Sequence, residues 1–221
     1  MSRESNGRTT DSGEAMTDGG EAVTEDGEAT TGNGALPQDV TGALDDGRWT
    51  GEKSVEAIVG DVLRDRNETL ATAESLTGGL IGSTVTDVPG SSDYFDRGFV
   101  TYAYDAKRAE LAVPREALDA HGAVSEPVAE AMARGARDRA DTSWGLSATG
   151  VAGPGGGRDE KPVGLVYVGV AYAAPWGTEA SFVRSRRFTF DGDRATIKRK
   201  SVESALATLA ATIEEDGAET A

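Results

Sequence analysis

The sequence predicts an α/β domain, a mixed sheet of about five strands covered by helices on both faces. Three observations carry this prediction. Short apolar runs alternate with stretches whose apolar residues recur at helical spacing. One run, Gly164-Leu-Val-Tyr-Val-Gly-Val-Ala-Tyr172, is almost continuously apolar and belongs inside a sheet. The next, residues 180–190, alternates through Phe182, Arg184, Arg186 and Phe188, the pattern of a half-exposed antiparallel strand.

Taken in order, residues 1–50 stand apart. They are rich in Gly, Thr, Asp and Glu, and carry a seven-residue near-repeat from Asp11 to Thr31. Each unit contains glycine and too little apolar surface to form a coiled-coil seam, so the stretch reads as a disordered acidic tail. A domain over residues 53–215 follows. Val55, Ile58, Val59, Val62 and Leu63 mark a first amphipathic helix. Residues 70–73 read as a short buried strand, and Leu80, Ile81, Thr84, Val85 and Val88 as the helix after it. Residues 88–92 form a helix exit and loop, residues 98–102 a second strand, and residues 105–111 a short helix with Lys107 near its start. Pro114 opens a helical turn that ends near His121 and Gly122. Ser125-Glu-Pro127 is a helix start, with serine as N-cap and proline in the first turn. Residues 144–149 form a third strand, which runs into the glycine-rich stretch 150–157. After the two strands named above and a turn at residues 175–177, Asp191-Gly-Asp-Arg194 caps a final helix carrying Ile197, Val202, Leu206, Leu209 and Ile213.

Composition narrows the chemistry. There is no cysteine and a single histidine, His121, so thiolate catalysis, disulfides and multi-histidine metal sites are excluded. No metal is called for, since no acidic spacing matches a ligand set, and no cofactor is expected. The formal net charge is −16, against general nucleic-acid binding. Such acidity suits a protein that stays soluble in strong salt, so a halophilic source is expected. No run approaches the roughly 18 apolar residues of a membrane span, and the acidic N-terminus is unlike a secretory signal. A soluble, cytoplasmic protein is expected. Phe95, Phe99 and Trp176, placed in or near exposed loops, suggest a homo-oligomer.

The stretch that organises the chain is the strand-to-helix junction at residues 69–82. Glu74, Ser75, Thr77, Gly78 and Gly79 fall where open α/β sheets present ligands, at the carboxyl edge of a strand. Ser75 reads either as a helix N-cap or as a nucleophile with backbone N–H donors beside it. Thr77, Gly78 and Gly79 offer an anion site. Lys107 is a candidate base or a solvated helix-face lysine, in a chain with five lysines, Lys53, Lys107, Lys161, Lys198 and Lys200. To act, its pKa must fall from about 10.4 towards about 7–8. Tyr102 is a proton relay or a ring-packing strand residue. Glu74 orients Lys107, binds ligand hydroxyls or caps the turn. Thr149, Gly150, Gly153 and Gly155 belong to a second loop that either offers backbone donors, as phosphate loops do, or is a flexible surface loop. Arg194 is an anion contact or a salt-bridge former. Lys161 could close over the site from its loop, and His121 reads as a surface or capping residue.

Six spaced motifs together carry a family resemblance: Ala73-Glu-Ser-Leu-Thr-Gly-Gly79; Tyr94-Phe-Asp-Arg-Gly-Phe-Val-Thr-Tyr102 with Lys107; Gly122-Ala-Val-Ser125; Thr149-Gly-Val-Ala-Gly-Pro-Gly-Gly156; Lys161-Pro-Val-Gly164; and Gly192-Asp-Arg194. The chain resembles the C-terminal domain family of the competence/damage-inducible protein CinA in its stand-alone form, over roughly residues 53–213. The resemblance implies a three-layer α/β/α sandwich. It implies hydrolysis of nicotinamide mononucleotide to nicotinate mononucleotide and ammonia, with Ser75 and Lys107 as the catalytic pair and Arg194 in the site. Nothing matches the pyrophosphatase-like half of two-domain CinA proteins, so no activity of that half is carried over. The competing function is a nucleotide-binding or partner-binding module without chemistry. Phosphoryl transfer lacks a Walker-type lysine motif and a magnesium carboxylate pair.

Overall fold

The computed structural model describes residues 44–45 and 47–219. Most of the predicted acidic tail lies outside the described residues. Its last few residues do not behave as tail. Strands β1 (Leu44–Asp45) and β2 (Arg48–Trp49) pair antiparallel, and the Trp49 N–H donates to Glu203 at 2.6 Å. The folded part therefore begins before residue 53.

The chain continues as α1 (Val55–Arg66), β3 (Leu70–Glu74), α2 (Leu80–Thr86), a 3-10 turn (Ser91–Asp93) and β4 (Phe95–Val100). Then come α3 (Tyr104–Leu111), α4 (Arg115–His121), α5 (Glu126–Ala140), β5 (Trp144–Gly150), β6 (Leu165–Tyr172), β7 (Phe182–Thr189) and α6 (Arg194–Glu219). The five-stranded sheet has the order β4-β3-β5-β6-β7. β3 lies parallel to β4 and β5, while β6 is antiparallel to β5 and β7. The mixed sheet and its helices are those the apolar patterning predicts.

Each face has its own core. On one, Ile58, Leu63, Ile81, Leu146, Val168, Leu206 and Leu209 cluster under α1, α2 and α6. On the other, Ala71, Ala73, Leu111, Leu118, Val128 and Met132 pack beneath α3, α4 and α5. The second layer depends on small residues. A Cβ at Gly145 would stand 2.1 Å from the Ala133 carbonyl oxygen of α5. The bare glycine lets the helix backbone settle on the strand.

Several local expectations shift. Val88 falls beyond the end of α2, and the strand predicted at 98–102 lies at Phe95–Val100. Tyr102 is thus a loop residue after a strand. Phe95 and Phe99 sit on β4 and lean on the two cores, not in exposed loops; Trp176 is fully exposed. Ser125 holds the N-cap position of α5, but its hydroxyl donates back to the Gly122 carbonyl at 2.9 Å and caps no helical N–H. The final helix starts as predicted, with the Asp193 carboxylate accepting the Thr196 N–H at 2.8 Å. No described helix is long and apolar enough to cross a membrane.

Candidate active site

The strand order places the site. From β3 the chain crosses through α2 to β4 on one side, then returns through α3, α4 and α5 to β5 on the other. The connections diverge at the carboxyl end of β3, where an open sheet leaves a crevice. Ser75 is the next residue. Its N–H continues the ladder by donating to the Ala148 carbonyl at 3.0 Å, and the Thr101 N–H donates to the Glu74 carbonyl at 2.9 Å. The junction is therefore held from both neighbouring strands.

After Ser75 the backbone turns sharply. Gly78 and Gly79 have φ of 63° and 98°, a region L side chains rarely adopt. Glu74 fixes the turn from below. One carboxylate oxygen accepts the N–H groups of Gly79 and Ile81 at 2.9 and 3.0 Å, and the other accepts that of Gly82 at 2.9 Å. Glu74 is almost fully buried. Of its expected roles, the geometry shows the capping one, with both carboxylate oxygens accepting turn N–H groups. Among the described residues, no hydrogen bond engages the main-chain N–H of Leu76, Thr77 or Gly78. These unengaged donors directly follow Ser75 in the chain, a suitable arrangement for an oxyanion.

Lys107 reaches back from α3 into this junction and is wholly buried. Its Nζ is 3.0 Å from Ser75 Oγ, 3.3 Å from the Tyr102 carbonyl, and in contact with the Thr101 carbonyl. Burial pulls its pKa down from 10.5 to about 8. Counting hydrogen-bond capacity then shows what the amine can do. The ammonium form donates to all three oxygens. A neutral amine has two N–H groups, enough for the two carbonyls, and one lone pair left for the hydroxyl proton of Ser75. The two carbonyls are acceptors only, so the geometry aims that lone pair at the serine.

The other expected residues divide into those at the junction and those tied elsewhere. Tyr102 enters through its carbonyl, while the residue as a whole is 66% exposed. Thr77 is buried and its hydroxyl has no partner. Thr149 is buried with its hydroxyl donating to the Ala123 carbonyl at 2.7 Å, which fastens the chain before α5 to the end of β5. Arg194 donates to the Gly153 carbonyl at 2.8 Å, joining α6 to the glycine loop. Gly150 and Gly153 face packed neighbours, whereas Gly155 has open space. Lys161 donates to the His121 carbonyl and so links its loop to the end of α4. Two groups that the structure brings to the junction escape sequence reasoning. The Thr101 carbonyl acts through its backbone, which no residue type reveals. Lys198 stands over Gly78, and its one sequence signal is its spacing four residues after Arg194.

The family model of the CinA C-terminal domain matches residues 52–213. The chain belongs to the CinA C-terminal domain family. A putative competence-damage inducible protein of Moorella thermoacetica is 50% identical over 157 residues, covering 71% of this chain and 36% of that protein. A CinA-like protein of Salinibacter ruber is 48% identical over 164 residues, covering 74% and 38%. The chain thus spans less than half the length of these CinA relatives. Among solved structures, the competence/damage inducible protein CihA from Agrobacterium tumefaciens superposes with a TM-score of 0.64 at 38% identity, covering 70% of this chain and 92% of that one. A CinA superfamily protein from Enterobacter cloacae gives 0.67 at 29% identity, covering 74% and 94%. The predicted family and three-layer α/β fold are both found.

Proposed function

We propose that this CinA-family domain is an amidohydrolase that converts nicotinamide mononucleotide to nicotinate mononucleotide and ammonia. The observation that carries the reading is the 3.0 Å contact between a serine hydroxyl and a buried lysine amine with a lowered pKa. The resemblance of the six motifs supplies the substrate.

In the first half-reaction Ser75 Oγ attacks the carboxamide carbon while the neutral Lys107 amine takes its proton. The N–H groups of Leu76, Thr77 and Gly78 receive the developing oxyanion. As the tetrahedral intermediate collapses, the Lys107 ammonium returns the proton to the leaving nitrogen and ammonia departs, leaving an ester on Ser75. Water then attacks the ester with Lys107 again as base. Breaking the ester bond frees nicotinate mononucleotide and restores the serine. The net charge of −16 supports an enzyme that keeps working in strong salt.

The test is incubation with nicotinamide mononucleotide at low and at molar salt, followed by chromatography and ammonia assay. One nicotinate mononucleotide per ammonia is expected, with turnover retained in high salt. Tight calorimetric binding without product would replace the enzyme with a binding module.

A further inference from the structure

The cleft holds a cation that no structural role uses. A Cβ at Gly78 would lie 3.7 Å from Lys198 Nζ, so the amine stands over the glycine turn that follows Ser75. Lys198 is half-buried, and no ion pair or hydrogen bond engages it among the described residues. Ordering a long charged chain without a protein partner costs rotamer freedom. Its neighbours differ. Arg194 is bonded to Gly153 and Lys200 to the Asp191 carbonyl. The only carboxylate built into the turn, Glu74, is spent on three N–H groups. The turn beneath Lys198 carries no side chain at Gly78 or Gly79, and of the atoms outside the turn only the Lys198 amine comes within 4 Å of a Cβ at Gly78, so the main chain there is open to close approach.

The geometry points to Lys198 as the residue that recognises the phosphate monoester of the substrate, at a subsite above Gly78 and separate from the Ser75–Lys107 pair. This rests on the deamidase reading for the identity of the substrate. It makes the phosphate a handle: the nucleotide is held at one end by Lys198 while its carboxamide meets Ser75. A charge-assisted hydrogen bond of this kind separates a phosphate-bearing substrate from its phosphate-free analogue by about 10- to 100-fold.

The experiment compares nicotinamide mononucleotide with nicotinamide riboside in the wild type, Lys198→Met and Lys198→Arg. The preference for the mononucleotide in kcat/KM falls about 10- to 100-fold in Lys198→Met, through KM, and returns in Lys198→Arg. An unchanged preference, or an equal loss of kcat on both substrates, overturns the assignment. The wild type gives a reading that needs no variant: salt raises KM for the mononucleotide relative to the riboside, and a ratio insensitive to salt also overturns it. If no ammonia is released at all, the deamidase reading fails. Calorimetric titration of wild type and Lys198→Met with the mononucleotide then decides the subsite: at least tenfold weaker binding by the variant upholds it, and equal binding removes it.

Discussion

Lys107 Nζ lies 3.0 Å from Ser75 Oγ, joining a wholly buried amine to a hydroxyl on a different element that keeps a small opening to solvent. Two backbone carbonyls hold the amine, and no carboxylate pairs with it among the described residues. Desolvation is therefore free to lower its pKa, unlike in a lysine salt bridge.

Activity follows that pKa. The proposed reaction needs neutral Lys107, whose folded-state pKa is about 8. The value of kcat/KM is expected to rise with pH through an inflection near 8 and then level off. A pH profile that is flat between 6 and 9, or that falls across this range, would count against Lys107 as the base.

Stability carries the same signature. Lys107 has a pKa of 10.5 unfolded and about 8 folded, so between these values the unfolded chain binds more protons. The cost is full below about pH 8, about 3 kcal/mol, and fades as the pH climbs towards 10.5. Denaturant unfolding of wild type against Lys107→Met should show a difference that shrinks or grows by this amount over the window, with the wild type gaining. Parallel pH dependence in the two proteins contradicts the assignment.

Glu74→Gln tests the turn. The amide would set its own donor group against N–H groups that now share two carboxylate oxygens. The variant is expected to lose about 2–3 kcal/mol of stability and to lose turnover, because Gly78 and Gly79 no longer hold their positions behind Ser75. A melting temperature equal to that of the wild type would show that the cap is dispensable.

Gly145→Ala tests the layer that carries Lys107. The added methyl would meet the Ala133 carbonyl oxygen at 2.1 Å, and backbone cannot yield as a side-chain tip can. A loss of about 3 kcal/mol or more is expected, seen as a large fall in melting temperature. A soluble variant of unaltered stability would mean that α5 does not press on β5 this closely.

Much of this was legible in the chain. The alternation of Phe182, Arg184, Arg186 and Phe188 gave edge strand β7, and the apolar run at 164–172 gave the interior strand β6. Ser75, Gly78 and Gly79 marked the strand-to-helix junction, and scarcity drew attention to Lys107. What stayed hidden was set by backbone and by distance. Carbonyls such as those of Thr101 and Tyr102 have no signature in residue type. Tyr102 drew attention for its phenol, yet its contact is main-chain. Glu74 read equally well as ligand or cap until its three amide partners were known. Lys198 reaches Gly78 only because α6 lies against α2, a long-range packing that periodicity does not encode.

Ammonia release from nicotinamide mononucleotide by Ser75→Ala and Lys107→Ala, measured beside the wild type on protein shown to be folded, tests the central claim most directly. Each variant should fall by at least about a thousandfold, and the two together no further, because the residues act as one unit. Wild-type turnover by either variant would contradict the account.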